Sequence, residues 1–215
     1  MAFMSVPTKA ILMYRAPYEG QVKKRLAESI GDAAALSIYR WMGQRQLEAI
    51  PAAWSVEVRF TPDWAKDAMV SWLGPGPRYV AQERGDLGER MWRATRASLA
   101  GENPSKLIFL GADCLALDET LLARASEHLG EKDFVVGPAF DGGYYLLGMR
   151  VCESLVFENV SWGASTVFAE TVGAIESLGG SIEILDTLRD IDDWDSLKGE
   201  KGRIAPDIRR ELRLD

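Results

Sequence analysis

The sequence has one histidine, His128, and two cysteines, Cys114 and Cys152, among its 215 residues. A single imidazole sets aside a His-based triad and a zinc site built on several histidines. The cysteines have no metal-ligand spacing, and a cytoplasmic protein with reduced thiols is the expectation. No apolar run approaches the roughly twenty residues that a spanning helix needs. The first residues, M-A-F-M-S-V-P-T-K, lack a basic lead followed by a long apolar segment, so no signal peptide is expected. Positive charge is short as well: 25 lysines and arginines face 32 aspartates and glutamates, for a net charge of −7. That balance excludes general nucleic-acid binding, which needs a basic face against the phosphates. A local basic cluster can still hold one small phosphorylated ligand. Internal repeats and low-complexity tracts are absent, and a single domain over residues 1–215 is expected.

What is present centres on Lys106–Asp118, K-L-I-F-L-G-A-D-C-L-A-L-D. Leu107–Leu110 form an unbroken apolar run, which suits a strand buried on both faces of a parallel sheet. Gly111 breaks the run, and Asp113 arrives where the strand leaves the sheet. Ligands of open α/β sheets bind at the carboxyl ends of strands, so a carboxylate there is well sited for a metal or a phosphorylated substrate. As a plain turn residue, Asp113 would do no more than shape the chain. Asp118 heads a helical pattern and reads as an N-cap.

Upstream, Ala10–Tyr14 reads as a first strand that runs into the loop R-A-P-Y-E-G-Q-V-K-K-R-L. Arg15, Lys23, Lys24 and Arg25 put four cations into eleven positions. They can hold a polyphosphate by charge-assisted bonds, or simply face water. The loop matches neither the P-loop nor the dinucleotide glycine pattern. Asp32 is expected to cap a helix from Ala33 to about Ile50, and Val56–Phe60 alternates as a second strand. Pro62 and Asp63 open a short helix, and Tyr79–Val80 suggests a further strand. In G-D-L-G-E-R-M, Gly85 and Gly88 flank Asp86 and Leu87 at the start of a helix. Asp86 reads as its cap, or the bared backbone faces a ligand.

Downstream, Phe134–Val136 and Tyr144–Gly148 read as strands on either side of Asp141, Gly142 and Gly143. Adjacent glycines permit positive φ or close approach to a ligand, whereas Asp-Gly alone signals a hairpin. Tyr144 and Tyr145 should place one ring on each face. Ser161 or Ser165 is expected to cap the next helix, and Trp162 either stacks on a flat ring or packs under its loop. Ile182–Leu185 reads as a last strand. In D-I-D-D-W-D-S-L, Asp192 or Asp193 heads a short helix, with metal binding the weaker reading. The tail from Arg203 reads as a charged surface helix.

G-A-D-C-L-A-L, D-F-V-V-G-P-A-F-D-G-G-Y-Y-L-L-G, G-D-L-G-E-R-M, the V-K-K-R-L loop and D-I-D together resemble one bacterial family. It is the glycosyltransferase-A-like family of selenodomain-associated, MobA-like transferases, and the match runs from about Ala10 to Leu197. The resemblance implies an α/β fold of the nucleotide-diphospho-sugar transferase (GT-A) type: a three-layer, doubly wound, mostly parallel sheet. It also implies a divalent cation, Mg²⁺ or Mn²⁺, at a nucleotide site. On this resemblance Asp113 is the leading metal carboxylate, and Asp141 is a second ligand or an acceptor-side base. Lys23 and Arg25 would meet the phosphates, Gly85, Asp86 and Gly88 the nucleotide, and Gly142, Gly143, Tyr144 and Trp162 the acceptor side. The chain departs from the family pattern at Glu19, Lys24, Arg45 and Leu115, where the family usually has proline, threonine, an acidic residue and proline.

The expected activity is transfer of a group, most simply a sugar, from a nucleotide-sugar to a small-molecule acceptor. Nucleotidylyl transfer from a nucleoside triphosphate to a phosphorylated small molecule is the alternative, and a nucleotide-binding protein without catalysis is a third. The donor base, the acceptor and the oligomeric state are open at the level of sequence.

Overall fold

The apolar run at Leu107–Leu110 becomes β4 (Lys106–Leu110), and all four residues are buried because both faces of that strand are covered. The computed structural model describes residues 6–99, 106–212 and 214. Around β4 stand β1 (Thr8–Arg15), β2 (Ser55–Thr61), β3 (Arg78–Ala81), β5 (Phe134–Pro138), β6 (Tyr144–Met149) and β7 (Ile182–Ile184). They form one sheet in the order β3-β2-β1-β4-β6-β5-β7. Pairing is parallel except at β6, which runs antiparallel to both β4 and β5. The Asp141-Gly142-Gly143 turn is the reason: it sends the chain straight back beside β5.

Helices α1 (Lys24–Ile30), α2 (Asp32–Ala49), α3 (Lys66–Leu73), α4 (Leu87–Leu99), α5 (Glu119–His128), α6 (Val167–Ser177), α7 (Trp194–Gly199) and α8 (Pro206–Glu211) surround the sheet. Alternation within the strands divides the core in two. Leu12 and Tyr14, Val58 and Phe60, Ile108 and Leu110 share one face with Tyr39, Trp72 and Leu122 of α2, α3 and α5. Ile11, Phe109, Phe134 and Leu147 turn to the other face, under Met91 of α4 and Ile175 of α6. Tyr145 joins the first cluster and Tyr144 packs against the second, one ring to each face as expected. The result is a three-layer, doubly wound, mostly parallel sheet. Strand order reverses between β1 and β4, which opens a crevice at their carboxyl ends. No helix among the described residues is long and apolar enough to cross a membrane.

Several local expectations change. The basic stretch after Lys23 is not all loop, since Lys24 and Arg25 begin α1. Asp32 does not cap α2: Gly31, at φ 83°, holds the cap position and Asp32 is the first helical residue. The helix expected from Pro62 starts at Lys66. Thr166, rather than Ser161 or Ser165, precedes α6, and no side chain caps it. Asp118 and Asp193 do cap α5 and α7, each accepting a backbone N–H three residues on. In β2 the polar positions Glu57 and Arg59, on the face that alternation alone would leave wet, are buried beside one another, 2.7 Å apart, and satisfied by pairing.

The tail is the largest correction. Ile204, Leu212 and Leu214 are buried in a third cluster with Leu26, Ile38 and Leu197, on the outer side of α2. The charged residues hid a stripe of aliphatic positions whose burial only the fold reveals. Ile204→Ala should therefore lower stability by about 2–4 kcal/mol in urea unfolding, the cost of a cavity in a packed core. A solvated helix would lose less than about 0.5 kcal/mol.

Candidate active site at the carboxyl ends of β1 and β4

The crevice is held open by two side chains from α2. Tyr39 donates its hydroxyl to the carbonyl of Arg15 at 2.8 Å and accepts the Arg15 N–H at 3.1 Å, which fixes the end of β1. Gln46 donates to the carbonyl of Gly111 and accepts the Tyr14 hydroxyl, which fixes the end of β4. Burial pushes the Tyr39 phenol well above its ordinary range, so it stays neutral as a structural donor. The sequence marked Tyr39 only as apolar surface.

Asp113 leaves β4 into this crevice, and the chain between Leu188 and Asp192 is laced to it. Ile191 N–H donates to the Asp113 carbonyl at 2.8 Å, and Leu188 exchanges backbone bonds with Pro138 and Phe140. These bonds draw Asp190 and Asp192 alongside Asp113 on one side and Asp141 on the other. Asp141, Asp190 and Asp192 then each offer a carboxylate oxygen within 4.8 Å of the others.

Lys23 ties the carboxylates together. It takes the left-handed conformation, φ 47° and ψ 47°, which is uncommon for a lysine and turns its side chain inward. Its ammonium lies 2.9 Å from Asp113 Oδ1 and 3.1 Å from Asp192 Oδ1, and donates to the carbonyl of Ile191. Only 6% of the side chain is exposed. Burial opposes the charge, but Asp113 and Asp192 outweigh it and hold Lys23 above its ordinary pKa. Arg25 pairs with the other oxygen of Asp192. Burial would raise Asp192, yet the Lys23 charge and hydrogen bond, with Arg25, bring it below the usual carboxylate range. Asp190 goes the other way, to about 6, through burial first and then the charges of Asp141 and Asp192.

Next to these carboxylates lies a cavity of about 620 Å³. Arg15, Lys23, Lys24 and Arg25 line one wall, while Met13, Leu87, Met91, Phe109 and Tyr144 supply apolar surface. A smaller hollow of about 150 Å³ continues past Asp113 and Tyr144 to Asp141, Gly143, Asp190 and Asp192. The four cations are not equivalent. Lys23 and Arg25 are committed to carboxylates, whereas Arg15 and Lys24 make no ion pair among the described residues.

The other residues singled out from the sequence fall in three places. Asp141 stands at the hollow, its Oδ1 accepting the Gly143 N–H at 2.8 Å. Gly142 is needed for the turn itself: its φ is +89°, and a Cβ would sit 2.0 Å from the Ser165 carbonyl oxygen. Gly85, Asp86 and Gly88 build the start of α4 beside the cavity rather than its lining. Asp86 and Glu89 cap each other's backbone N–H at 2.8 and 3.0 Å, while Leu87 projects into the cavity. Trp162 packs on Gly88, where a Cβ would lie 2.5 Å from the indole nitrogen. Sequence reasoning saw Arg15 as one of four loop cations that can hold a polyphosphate, and Asp190 and Asp192 only as part of the D-I-D-D run, with metal binding the weaker reading. The distance of that run from Asp113 in the chain hid the contact. Cys114 borders the hollow, and burial pushes its thiol up to about 11, so it is no thiolate at neutral pH.

Oxygen-only donors at a strand end suit a hard divalent cation. Asp113 Oδ1 adds to the fit, being buried with no partner apart from Lys23 among the described residues.

Two outcomes follow from this geometry. A raised carboxyl pKa stabilises the fold below the unfolded value, and that benefit disappears as pH rises through the folded value. For Asp190 the window is about pH 4 to 6. In chelator, Asp190→Asn should thus be more stable than the native protein at neutral pH, by about 1 kcal/mol after discounting for solvent screening. The gain should vanish below about pH 4 in thermal unfolding; an Asn variant less stable at neutral pH would contradict the repulsion. Gly142→Ala should cost about 3 kcal/mol in urea unfolding, because it combines a left-handed φ with a backbone clash.

Comparison with known proteins accords with this architecture. No curated protein matches the sequence. A candidate nucleotide-diphospho-sugar transferase from Desulfovibrio desulfuricans G20 superposes with a TM-score of 0.86 at 28% identity, covering 97% of this chain and 94% of that one. The Mycobacterium tuberculosis H37Rv protein Rv0371c, solved in complex with manganese, gives 0.55 at 12% identity over 97% and 99% of the two chains. A CMP:2-keto-3-deoxy-manno-octonic acid synthetase complexed with CTP gives 0.54 at 13% identity over 96% and 100%. The fold is therefore that of the GT-A type, which nucleotide-sugar transferases and nucleotidyltransferases share. Residues 47–164 match the family described as "Uncharacterized protein conserved in bacteria (DUF2064)", and the chain belongs to that family.

Proposed function

We propose that the protein is a metal-dependent transferase that takes a group, most simply a sugar, from a nucleotide-activated donor to a small-molecule acceptor. The observation that carries this reading is the junction at Lys23, where a cation-lined cavity meets a carboxylate cluster at the switch point of the sheet. The neighbours' descriptions as nucleotide-sugar transferase and nucleotide-bound synthetase support it, as does the resemblance to MobA-like transferases. On this reading the whole chain works as one transferase domain in the cytoplasm.

Each residue has a distinct task. Arg15 and Lys24, without an ion pair among the described residues, neutralise the donor phosphates. Lys23 holds Asp113 in place at the cavity through its ion pair. Asp113, Asp141, Asp190 and Asp192 supply the oxygen ligands for Mg²⁺ or Mn²⁺; when bound, the cation neutralises the charge of the departing phosphate group. Asp141, at the hollow's open end, is also placed to take a proton from an acceptor hydroxyl. Tyr144, Met91 and Phe109 exclude water from the cavity floor.

Nucleotidylyl transfer is the second reading, favoured by Arg15 and Lys24, two cavity cations without an ion pair among the described residues, which suit a triphosphate as well as a diphosphate. The products separate the two: sugar transfer releases a nucleoside diphosphate, nucleotidylyl transfer releases pyrophosphate. Wild type is titrated with nucleotide-sugars and with nucleoside triphosphates, each with and without Mn²⁺, and melting points are compared. A ligand at a hundred times its dissociation constant adds roughly 2.7 kcal/mol. A Mn²⁺-dependent shift with a nucleotide-sugar is expected, and Asp113→Ala should abolish it. The same shift in that variant would remove Asp113 from the site, and no shift with any donor would overturn both readings.

A further inference from the structure

We propose that the hollow on the other side of Arg15 seats the donor's nucleobase, and that Glu19 selects guanine there. The inference rests on the nucleotide reading above and names the part of the donor it left open. The hollow measures about 540 Å³ and is lined by Arg15, Tyr18, Glu19, Gln21, Thr61 and Trp64. Arg15 and Gln21 also line the main cavity, so the two spaces share a wall. A nucleotide whose phosphates rest on Arg15 and Lys24 therefore has this hollow next to it for its base.

An aromatic platform borders the hollow. Trp64 and Tyr18 stack with ring centroids 5.3 Å apart and planes inclined by 29°. Trp64 is still 74% exposed, so the stack covers only a small part of the indole. The platform is anchored at both roots: Tyr18 N–H donates to Ala16, Gln21 N–H to Tyr18, Ala16 N–H to Thr61, and Ala65 N–H to Pro62. Two oriented rings at the edge of a cavity that accepts phosphate offer a face on which any base can stack.

Stacking does not discriminate among bases, but Glu19 does. Its carboxylate makes no ion pair or hydrogen bond among the described residues, and it accepts hydrogen bonds without donating any. Glu19 is exposed at the edge of the hollow, so its carboxylate is free to accept from a base seated there. Guanine presents two adjacent N–H groups that a carboxylate can accept together. Adenine and cytosine offer one amino donor next to an acceptor, and uracil offers one N–H between two carbonyls that repel the charge.

Calorimetric titration tests this with GDP, ADP, CDP, UDP and inorganic pyrophosphate, all with Mn²⁺, on wild type, Glu19→Gln and Trp64→Ala. GDP should bind at least about tenfold tighter than the other diphosphates, and Glu19→Gln should remove that preference. Trp64→Ala should weaken all four nucleotides about tenfold and leave pyrophosphate unchanged. Equal binding of the four bases by wild type would overturn the role of Glu19. Nucleotide affinity unmoved by Trp64→Ala, or lost in step with pyrophosphate, would overturn the base seat. In each of those cases the nucleotide reading itself stands; binding of none of the diphosphates would overturn both.

Discussion

The site depends on one ammonium group held away from water among carboxylates. A lysine so buried would shed its proton unless opposite charges stood against it, and several aspartates so close would repel one another without a cation between them. Lys23 with Asp113 and Asp192 meets both requirements. The pairing fixes the mouth of the crevice, because Lys23 belongs to the turn after β1, Asp113 to the exit of β4 and Asp192 to the carboxy-terminal segment. Asp190, which has no ion pair among the described residues, carries the repulsion that remains. A divalent ion would meet a cluster already arranged for it.

The scaffold behind that pairing is less conspicuous than the charges. α2 reaches over the strand ends and clamps β1 with Tyr39 and β4 with Gln46. Its opposite side carries the third cluster, which fastens the carboxy-terminal segment through Leu197 and Ile204. One helix thus holds both the strands that form the crevice and the chain that brings Asp190 and Asp192 to it. Packing on one side and polar geometry on the other are coupled through a single rigid element.

Charge partition gives the basic stretch its meaning. Four cations in sequence look alike, yet folding commits Lys23 and Arg25 to carboxylates and leaves Arg15 and Lys24 facing the cavity with no ion pair among the described residues. Lys24 is also where the chain departs from the threonine usual in the family it resembles. The departure adds a positive charge to the cation-lined wall of the cavity. Glu19, a second departure, lies at the neighbouring hollow.

Much of this was readable from local chemistry. The apolar run before Gly111, the caps at Asp118 and Asp193, and the turn at Asp141-Gly142-Gly143 each follow from a few adjacent residues, so the layered fold and the place of Asp113 were legible. The buried pair in β2, the aliphatic stripe of the tail and the cap at Gly31 were not, because burial depends on what packs from elsewhere in the chain. Roles within the site divide along the same line. Sequence by itself determined that Asp113 leaves a central strand beside a basic loop. Only the tertiary structure decided that Lys23 is its counter-ion, that Arg15 and Lys24 line the cavity without an ion pair among the described residues, and that Asp190 and Asp192 join the cluster. Those are contacts between residues far apart in the chain, and ion pairing is set by distance in space.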